Sequence, residues 1–135
     1  MHPSRTLPIV IVLLAPLAAN AQSVKPALYT DAQAQAGAGV YSQACAACHG
    51  QQLEGVAAPA LKGPAFGEMA TAQALTADAL LDVIANTMPQ SDPGSLKVDD
   101  YNAVTAYILQ QNGYPSGSAA LAKDAAGLKD TKVTP

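Results

Sequence analysis

The chain contains two cysteines, Cys45 and Cys48, and His49 follows them directly in the stretch "QACAACHGQQL". Two thiols and an imidazole at this spacing could form a disulfide, a redox-active dithiol, part of a metal site or the attachment point of a haem. These four interpretations make different demands on the rest of the chain. The surrounding sequence therefore has to discriminate among them.

Three of the interpretations leave something unexplained. A structural zinc site needs about four ligands, and Cys45, Cys48 and His49 leave the fourth to water or a carboxylate. A thioredoxin-like dithiol is expected in a βαβ context, whereas the flanking sequence here predicts helices and no strand. A disulfide is common for two cysteines in an exported protein, but it gives His49 no role.

The fourth interpretation accounts for all three residues, because C-x-x-C-H is the attachment signature of haem c. Cysteines at i and i+3 of a helical turn face the same way, so Cys45 and Cys48 can each add to one vinyl group. His49 then lies beneath the iron as the proximal ligand. The apolar cofactor would also supplement a core that is short of large side chains, since the chain has one Phe and no Trp.

The opening "MHPSRTLPIVIVLLAPLAANAQ" predicts a secretory signal peptide over residues 1–21, because a basic start, an apolar run and a small-x-small site follow one another. The apolar run 7–19 is interrupted by Pro16 and is shorter than the roughly 20 residues of a spanning helix. We therefore expect export to the periplasm, where haem attachment to such chains takes place, and no integral membrane span after cleavage.

Cleavage would leave 114 of the 135 residues, divided into one domain over 22–115 and a C-terminal extension over 116–135. Loss of Arg5 leaves six basic and ten acidic residues, a net charge of −4. With no basic run or phosphate-binding loop, this charge argues against a nucleic-acid partner. We expect the extension to be loosely ordered, or to pack along the domain or a partner.

The elements around the motif are predicted to be helices with long loops. A capping box at Thr30 and Gln33 opens a first helix that extends to about Ala47. The glycine- and proline-rich stretch 50–67 predicts a loop wrapped around the site. Thr76 caps a second helix that Pro89 ends, and its predicted apolar side is formed by Leu80, Val83, Ile84 and Thr87.

A last helix is predicted from about Val98 to Gln111, with two aspartates in its first turn and Gly113 just beyond its end. The fold class is therefore all-α. For a sixth iron ligand, removal of His2 with the signal peptide leaves the two remaining methionines or no ligand. Met88 is favoured, because Pro89 pins the chain where it leaves the helix, whereas Met69 is interpreted as a packing residue.

Four motifs, "GAGVYSQACAACHG", "APALKG", "TMPQSDPGSL" and "YNAVTAYILQQNGYP", resemble the small monohaem class I cytochromes c over roughly residues 30–115. The resemblance implies a small cytochrome c fold of three to five helices wrapped around one covalent haem. It also implies that Tyr41 and the last-helix Tyr107 accompany Gly37, where the absence of a side chain lets two helices cross closely.

The resemblance also implies a set of cofactor-binding residues. The Pro59 carbonyl is expected to accept a hydrogen bond from the ring of His49, which would fix the imidazole. His49 and Met88 are the expected iron ligands, and Cys45 and Cys48 the covalent links. The remaining expected pocket residues are Leu61, Phe66, Leu80, Ile84, Pro89 and Leu96.

These expectations describe an electron carrier rather than an enzyme, because His/Met ligation leaves no open iron site. A periplasmic dehydrogenase is the expected donor, and an oxidase or another cytochrome the expected acceptor. The ending "ILQQNGYPSG" resembles cytochromes that accompany quinoprotein or sulfur-compound oxidising dehydrogenases. Two alternatives stay open: a permanently bound electron-entry subunit, and a haem protein with an open or displaceable sixth site for catalysis or gas binding.

Overall fold

The structure is a computed structural model that describes residues 25–134, so the predicted signal peptide lies outside it. Five helices follow one another in this range: α1 (Asp31–Ala44), α2 (Ala46–His49), α3 (Gly63–Ala72), α4 (Ala77–Thr87) and α5 (Val98–Gln111). Between residues 25 and 134 there is an isolated β-bridge but no strand, so the all-α prediction is confirmed. None of these helices has the length and apolar character needed to cross a bilayer.

Helix α1 begins as the capping pattern predicts, but only one half of the capping box forms. The Thr30 hydroxyl accepts a hydrogen bond from the Gln33 amide at 3.2 Å. The Gln33 side chain turns instead to the C-terminal extension, where it donates to the Leu121 carbonyl and accepts from the Leu121 amide, each at 2.7 Å. The predicted extension of α1 to Ala47 was also wrong, because the helix is interrupted at Cys45 before α2 begins.

The prediction of a loop over 50–67 was wrong at its C-terminal end, where α3 begins at Gly63. Pro64 was counted as a loop residue, yet proline is well tolerated in the first turn of a helix because its missing N–H would have no intrahelical partner there. Helix α3 buries Phe66, Gly67 and Ala70 on one side.

The predicted limits of α4 and α5 are confirmed. Thr76 caps α4 by accepting from the Ala79 amide at 3.1 Å. The predicted apolar side of α4 was half wrong: Val83 is 50% exposed and Thr87 is exposed. The buried side is instead formed by Ala77, Leu80, Leu81 and Ile84.

Helix α5 is the centre of the domain, and α1 crosses it in backbone contact. A Cβ added at Gly37 would lie 1.9 Å from the Ala103 carbonyl oxygen and 2.9 Å from the Tyr107 Cβ. Only glycine permits this approach. The rings of Tyr41 and Tyr107 meet at the crossing with centroids 5.4 Å apart, as the resemblance implied.

The C-terminal extension packs along the domain. Leu121, Leu128 and Val133 are each at most 1% exposed. The extension also supplies hydrogen-bond acceptors to the start of α4, where the first backbone amides have no partner inside the helix. The Ala77 amide donates to the Thr131 carbonyl at 2.9 Å, and the Asp78 amide to the Leu128 carbonyl at 3.2 Å.

Candidate functional site

The two cysteines and the histidine lie on one short turn between α1 and the following loop. Cys45 separates α1 from α2, and its carbonyl accepts from the Cys48 and His49 amides at 3.1 and 3.0 Å. Both thiols are free; Cys45 is partly buried and Cys48 is exposed. Burial raises the pKa of the Cys45 thiol. The turn therefore presents two unpaired thiols with an imidazole directly behind them.

The ring of His49 is oriented by a backbone carbonyl. Its Nδ1 lies 2.7 Å from the Pro59 carbonyl oxygen. Because a carbonyl can only accept, Nδ1 must carry the proton and donate it. In the neutral ring, Nε2 then has a free lone pair, which is the form in which imidazole binds a metal.

The loop after the motif is folded back onto it by backbone hydrogen bonds. The Cys48 carbonyl accepts from the amides of Val56, Ala57 and Ala58 at 3.3, 3.0 and 3.0 Å. The Gly55 amide donates to the His49 carbonyl at 2.8 Å. Pro59 directly follows this set of bonds, so the loop geometry places its carbonyl against the imidazole.

A second set of contacts supports the turn from the side of α1. The buried Tyr41 hydroxyl donates to the Gly50 carbonyl at 2.7 Å, and desolvation, with smaller contributions from Cys45 and Glu54, raises the pKa of Tyr41 to about 12. The Glu54 carboxylate accepts from the Gln52 amide at 2.7 Å. The pKa of the Glu54 carboxyl group is lowered by hydrogen bonds from the backbone amides of Glu54 itself and Gln52.

Met88 is the first residue past α4. Its amide still donates to the Ile84 carbonyl at 3.1 Å, while its own backbone is extended, with φ −120° and ψ 151°. The side chain is partly buried and packs against the core. Met69 lies within α3 and is also partly buried against the core.

The other expected pocket residues differ in burial. Phe66, Leu80 and Ile84 are buried, at 2%, 5% and 8% exposure. Three are partly buried: Leu61, Pro89 and Leu96. Pro59 is exposed. Their contact with a cofactor stays a prediction.

Two polar residues that support the site were not singled out from the sequence. The Tyr101 hydroxyl donates to the Met88 carbonyl at 2.9 Å. The Asn112 side chain donates to the carbonyls of Leu61 and Ile108 at 2.9 and 2.8 Å, so it joins the end of α5 to the loop after the motif. Neither bond has a sequence signature, because each depends on two elements meeting.

The donor set fits a covalently attached haem. Two free thiols at i and i+3 can each form a thioether, the oriented imidazole of His49 offers Nε2 to iron, and the thioether of Met88 is a soft donor suited to a sixth position. Across the described residues, no three or more His, Cys, Asp or Glu side chains are grouped so that they could hold a metal ion by themselves.

The helical fold and the C-x-x-C-H turn define a c-type cytochrome domain. Residues 32–108, more than half of the chain, match the sequence model of the family described as "Cytochrome C oxidase, cbb3-type, subunit III". The chain belongs to this family. Membership implies a covalent haem c and electron transfer based on that haem.

One solved structure similar to this chain is the crystal structure of the sulfane dehydrogenase SoxCD from Paracoccus pantotrophus, with a TM-score of 0.50 and 26% sequence identity. The match covers 73% of this chain and 51% of the other, so this chain spans about half the length of the chain it matches. A comparison with curated proteins found no match.

Proposed function

We propose that the protein is a periplasmic carrier of single electrons, with one haem c attached through Cys45 and Cys48 and ligated by His49 and Met88. The observation that carries the proposal is the hydrogen bond from His49 Nδ1 to the Pro59 carbonyl, 2.7 Å long, within a C-x-x-C-H turn. It leaves Nε2 free for iron and fixes the ring against rotation.

Each residue of the proposed site has a distinct task. The thiols of Cys45 and Cys48 would hold the cofactor by covalent bonds, and His49 and Met88 would ligate its iron. A bound haem would supply a one-electron iron couple, and ligation by the Met88 thioether would raise its reduction potential. With His49 and Met88 both bound to the iron, no open site would be left for a substrate, which is why we propose a carrier and not an enzyme.

The proposed electron donor is a periplasmic dehydrogenase, and the proposed acceptor is an oxidase or another cytochrome. Two observations support this direction: the family description names an oxidase subunit, and the similar solved structure is a sulfane dehydrogenase. The second observation also favours another candidate function, in which the chain is the electron-entry subunit of a dehydrogenase complex. The two functions use the same site and differ in whether the partner stays bound.

The proposed docking surface lies beside Cys48. Val56, whose amide bonds to the Cys48 carbonyl, has a side chain that is 73% exposed. Ala47 and Ala57 are also exposed. Small apolar side chains around a redox centre suit the small, short-lived interfaces of electron-transfer encounters.

The proposal is tested by optical spectra of the purified haem-loaded protein in the oxidised and reduced states. We expect a low-spin ferric spectrum with the methionine–iron charge-transfer band. Met88→Ala should abolish the band, and Met69→Ala, which removes the other methionine of residues 25–134, should retain it. A high-spin ferric spectrum in the unmutated protein would mean an open iron and would replace electron transfer by catalysis or gas binding.

A further inference from the structure

Tyr101 connects α5 to both ends of the loop that begins at Met88. Its hydroxyl donates to the Met88 carbonyl at 2.9 Å and accepts from the Leu96 amide at 3.3 Å. Tyr101 is 5% exposed, so the position of its hydroxyl is fixed by the packing of the side chain in the core. One phenol oxygen thus holds Met88 and Leu96, the residues at the two ends of this loop, close to each other.

The middle of the loop makes few contacts with the helices. Residues 90–95 are exposed. Its backbone hydrogen bonds, from the Asp92 amide to the Pro89 carbonyl at 2.9 Å and from the Ser95 amide to the Asp92 carbonyl at 3.3 Å, are internal turns. They shape the loop but do not attach it to a helix. The side-chain hydrogen bonds that join the two ends of the loop to a helix come from Tyr101, and Leu96 also packs against the core.

Met88 needs such an attachment because α4 ends there. Its amide donates the last hydrogen bond of the helix, to the Ile84 carbonyl. Its own carbonyl accepts no hydrogen bond from a helical amide. A residue with extended backbone at a helix end frays easily unless its free polar groups find partners. The Tyr101 hydroxyl is the partner of that carbonyl.

We propose that Tyr101 is a positioning residue for the sixth iron ligand: by holding the Met88 carbonyl and the Leu96 amide, it keeps the Met88 thioether from swinging away. This inference rests on the proposed His49/Met88 ligation. It predicts that Tyr101 controls how readily an external ligand displaces the methionine, without itself touching iron.

The test is Tyr101→Phe in the haem-loaded protein, titrated with imidazole while the methionine–iron band is followed. We expect imidazole to displace Met88 at about fivefold lower concentration, the factor that one hydrogen bond of ordinary net strength contributes. The Leu96 amide, which loses its acceptor, should also exchange its hydrogen faster than in the unmutated protein.

Tyr114→Phe is the matched control. The Tyr114 hydroxyl likewise bridges a carbonyl and an amide: it donates to the Lys132 carbonyl at 2.7 Å and accepts from the Thr134 amide at 3.2 Å. Both of these partners belong to the C-terminal extension. This variant should lose similar stability and keep the imidazole titration of the unmutated protein.

The outcomes distinguish failure of the proposed His49/Met88 ligation from failure of the proposed role of Tyr101. Absence of the methionine band in the unmutated protein would overturn the proposed ligation itself. If the band is present and Tyr101→Phe titrates like Tyr114→Phe, the ligation stands and the positioning role of Tyr101 is overturned. If Tyr101→Phe does not load haem, slow exchange of the Leu96 amide in the unmutated protein supports the bond, and rapid exchange contradicts it.

Discussion

A single backbone carbonyl decides which nitrogen of His49 can bind a metal. With Nδ1 donating to Pro59, the ring cannot rotate without losing a hydrogen bond, and Nε2 keeps its lone pair in the neutral ring. The loop geometry that presents Pro59 comes in turn from three amides converging on the Cys48 carbonyl. The imidazole is therefore oriented for metal binding by backbone groups of residues that carry no reactive side chain.

The Tyr41 phenol should make stability depend on pH in the alkaline range. Its pKa is raised from 10.0 to about 12, chiefly because burial disfavours the charged form. Between these values the unfolded chain loses a proton that the folded chain keeps, so stability falls as the pH rises from 10.0 to about 12. We predict that Tyr41→Phe lowers the proton release on unfolding in this window by about one per molecule.

Denaturant unfolding of the haem-loaded protein at intervals between pH 9 and pH 12 measures this effect. The free energy of unfolding should decline less steeply for Tyr41→Phe than for the unmutated chain. Equal slopes for the two proteins would show that Tyr41 ionises in the fold as it does in the unfolded chain.

The residue types at the site could be predicted from the sequence to different degrees. Spacing alone singled out Cys45, Cys48 and His49, because covalent attachment needs two thiols on one turn, and their role in holding a haem stays a prediction. Tyr101 and Asn112 could not be identified, because their hydrogen bonds join residues 13 and 51 positions apart. Such bonds depend on how the helices pack, and local sequence does not encode that directly.

At the scale of the elements, the two helices with clear start and stop signals at both ends, α4 and α5, were predicted correctly. Thr76 and Pro89 bracket α4, and α5 carries acidic residues in its first turn and a glycine beyond its end. Helix α3 was missed because its glycines and Pro64 are also loop signals. The apolar side of α4 was misassigned because Val83 has the helical spacing of a buried position, whereas the side that is buried carries Leu81 instead.

The crossing of α1 and α5 gives a prediction with a control inside the same helix. Gly37→Ala would place a methyl group 1.9 Å from the Ala103 carbonyl oxygen, so the two backbones must separate. We expect a loss of about 3 kcal/mol in the free energy of unfolding, near the upper end for overpacking. Gly39→Ala meets nothing within 4 Å and should stabilise the protein by about 0.5–1 kcal/mol through helix propensity.

Thermal or denaturant unfolding of both variants decides this point. Since the two substitutions are chemically identical and lie two residues apart, helix propensity cancels in the comparison. Similar changes for Gly37→Ala and Gly39→Ala would mean that the helices do not meet in backbone contact.

At the scale of the whole molecule, the C-terminal extension completes the start of α4. The carbonyls of Leu128 and Thr131 accept from the first amides of the helix, and the Val133 amide donates to the Leu75 carbonyl at 2.8 Å. Truncation at residue 116 would unpair these groups and expose buried leucines. A test of partner docking by the extension therefore needs substitutions of its exposed residues, such as Lys129, rather than truncation.

The surface beside the C-x-x-C-H turn offers a sharper test of where electrons leave the molecule. Val56 and Val98 are the same residue type and are almost equally exposed, at 73% and 71%. Val56 lies in the loop bonded to Cys48, whereas Val98 opens α5. If partners approach beside Cys48, a long charged side chain at Val56 should obstruct close contact, and the same side chain at Val98 should not.

We predict that Val56→Lys slows electron exchange with a redox partner by about tenfold, since an added charge at a small interface changes mainly the association rate. Val98→Lys should stay within about twofold of the unmutated protein, because a substitution outside the interface leaves only the long-range effect of the charge, which salt screens. Stopped-flow reduction and oxidation at several ionic strengths measure both rates. Because each variant adds one positive charge, an equal effect of the two would indicate that net charge, and not the surface beside Cys48, governs the encounter.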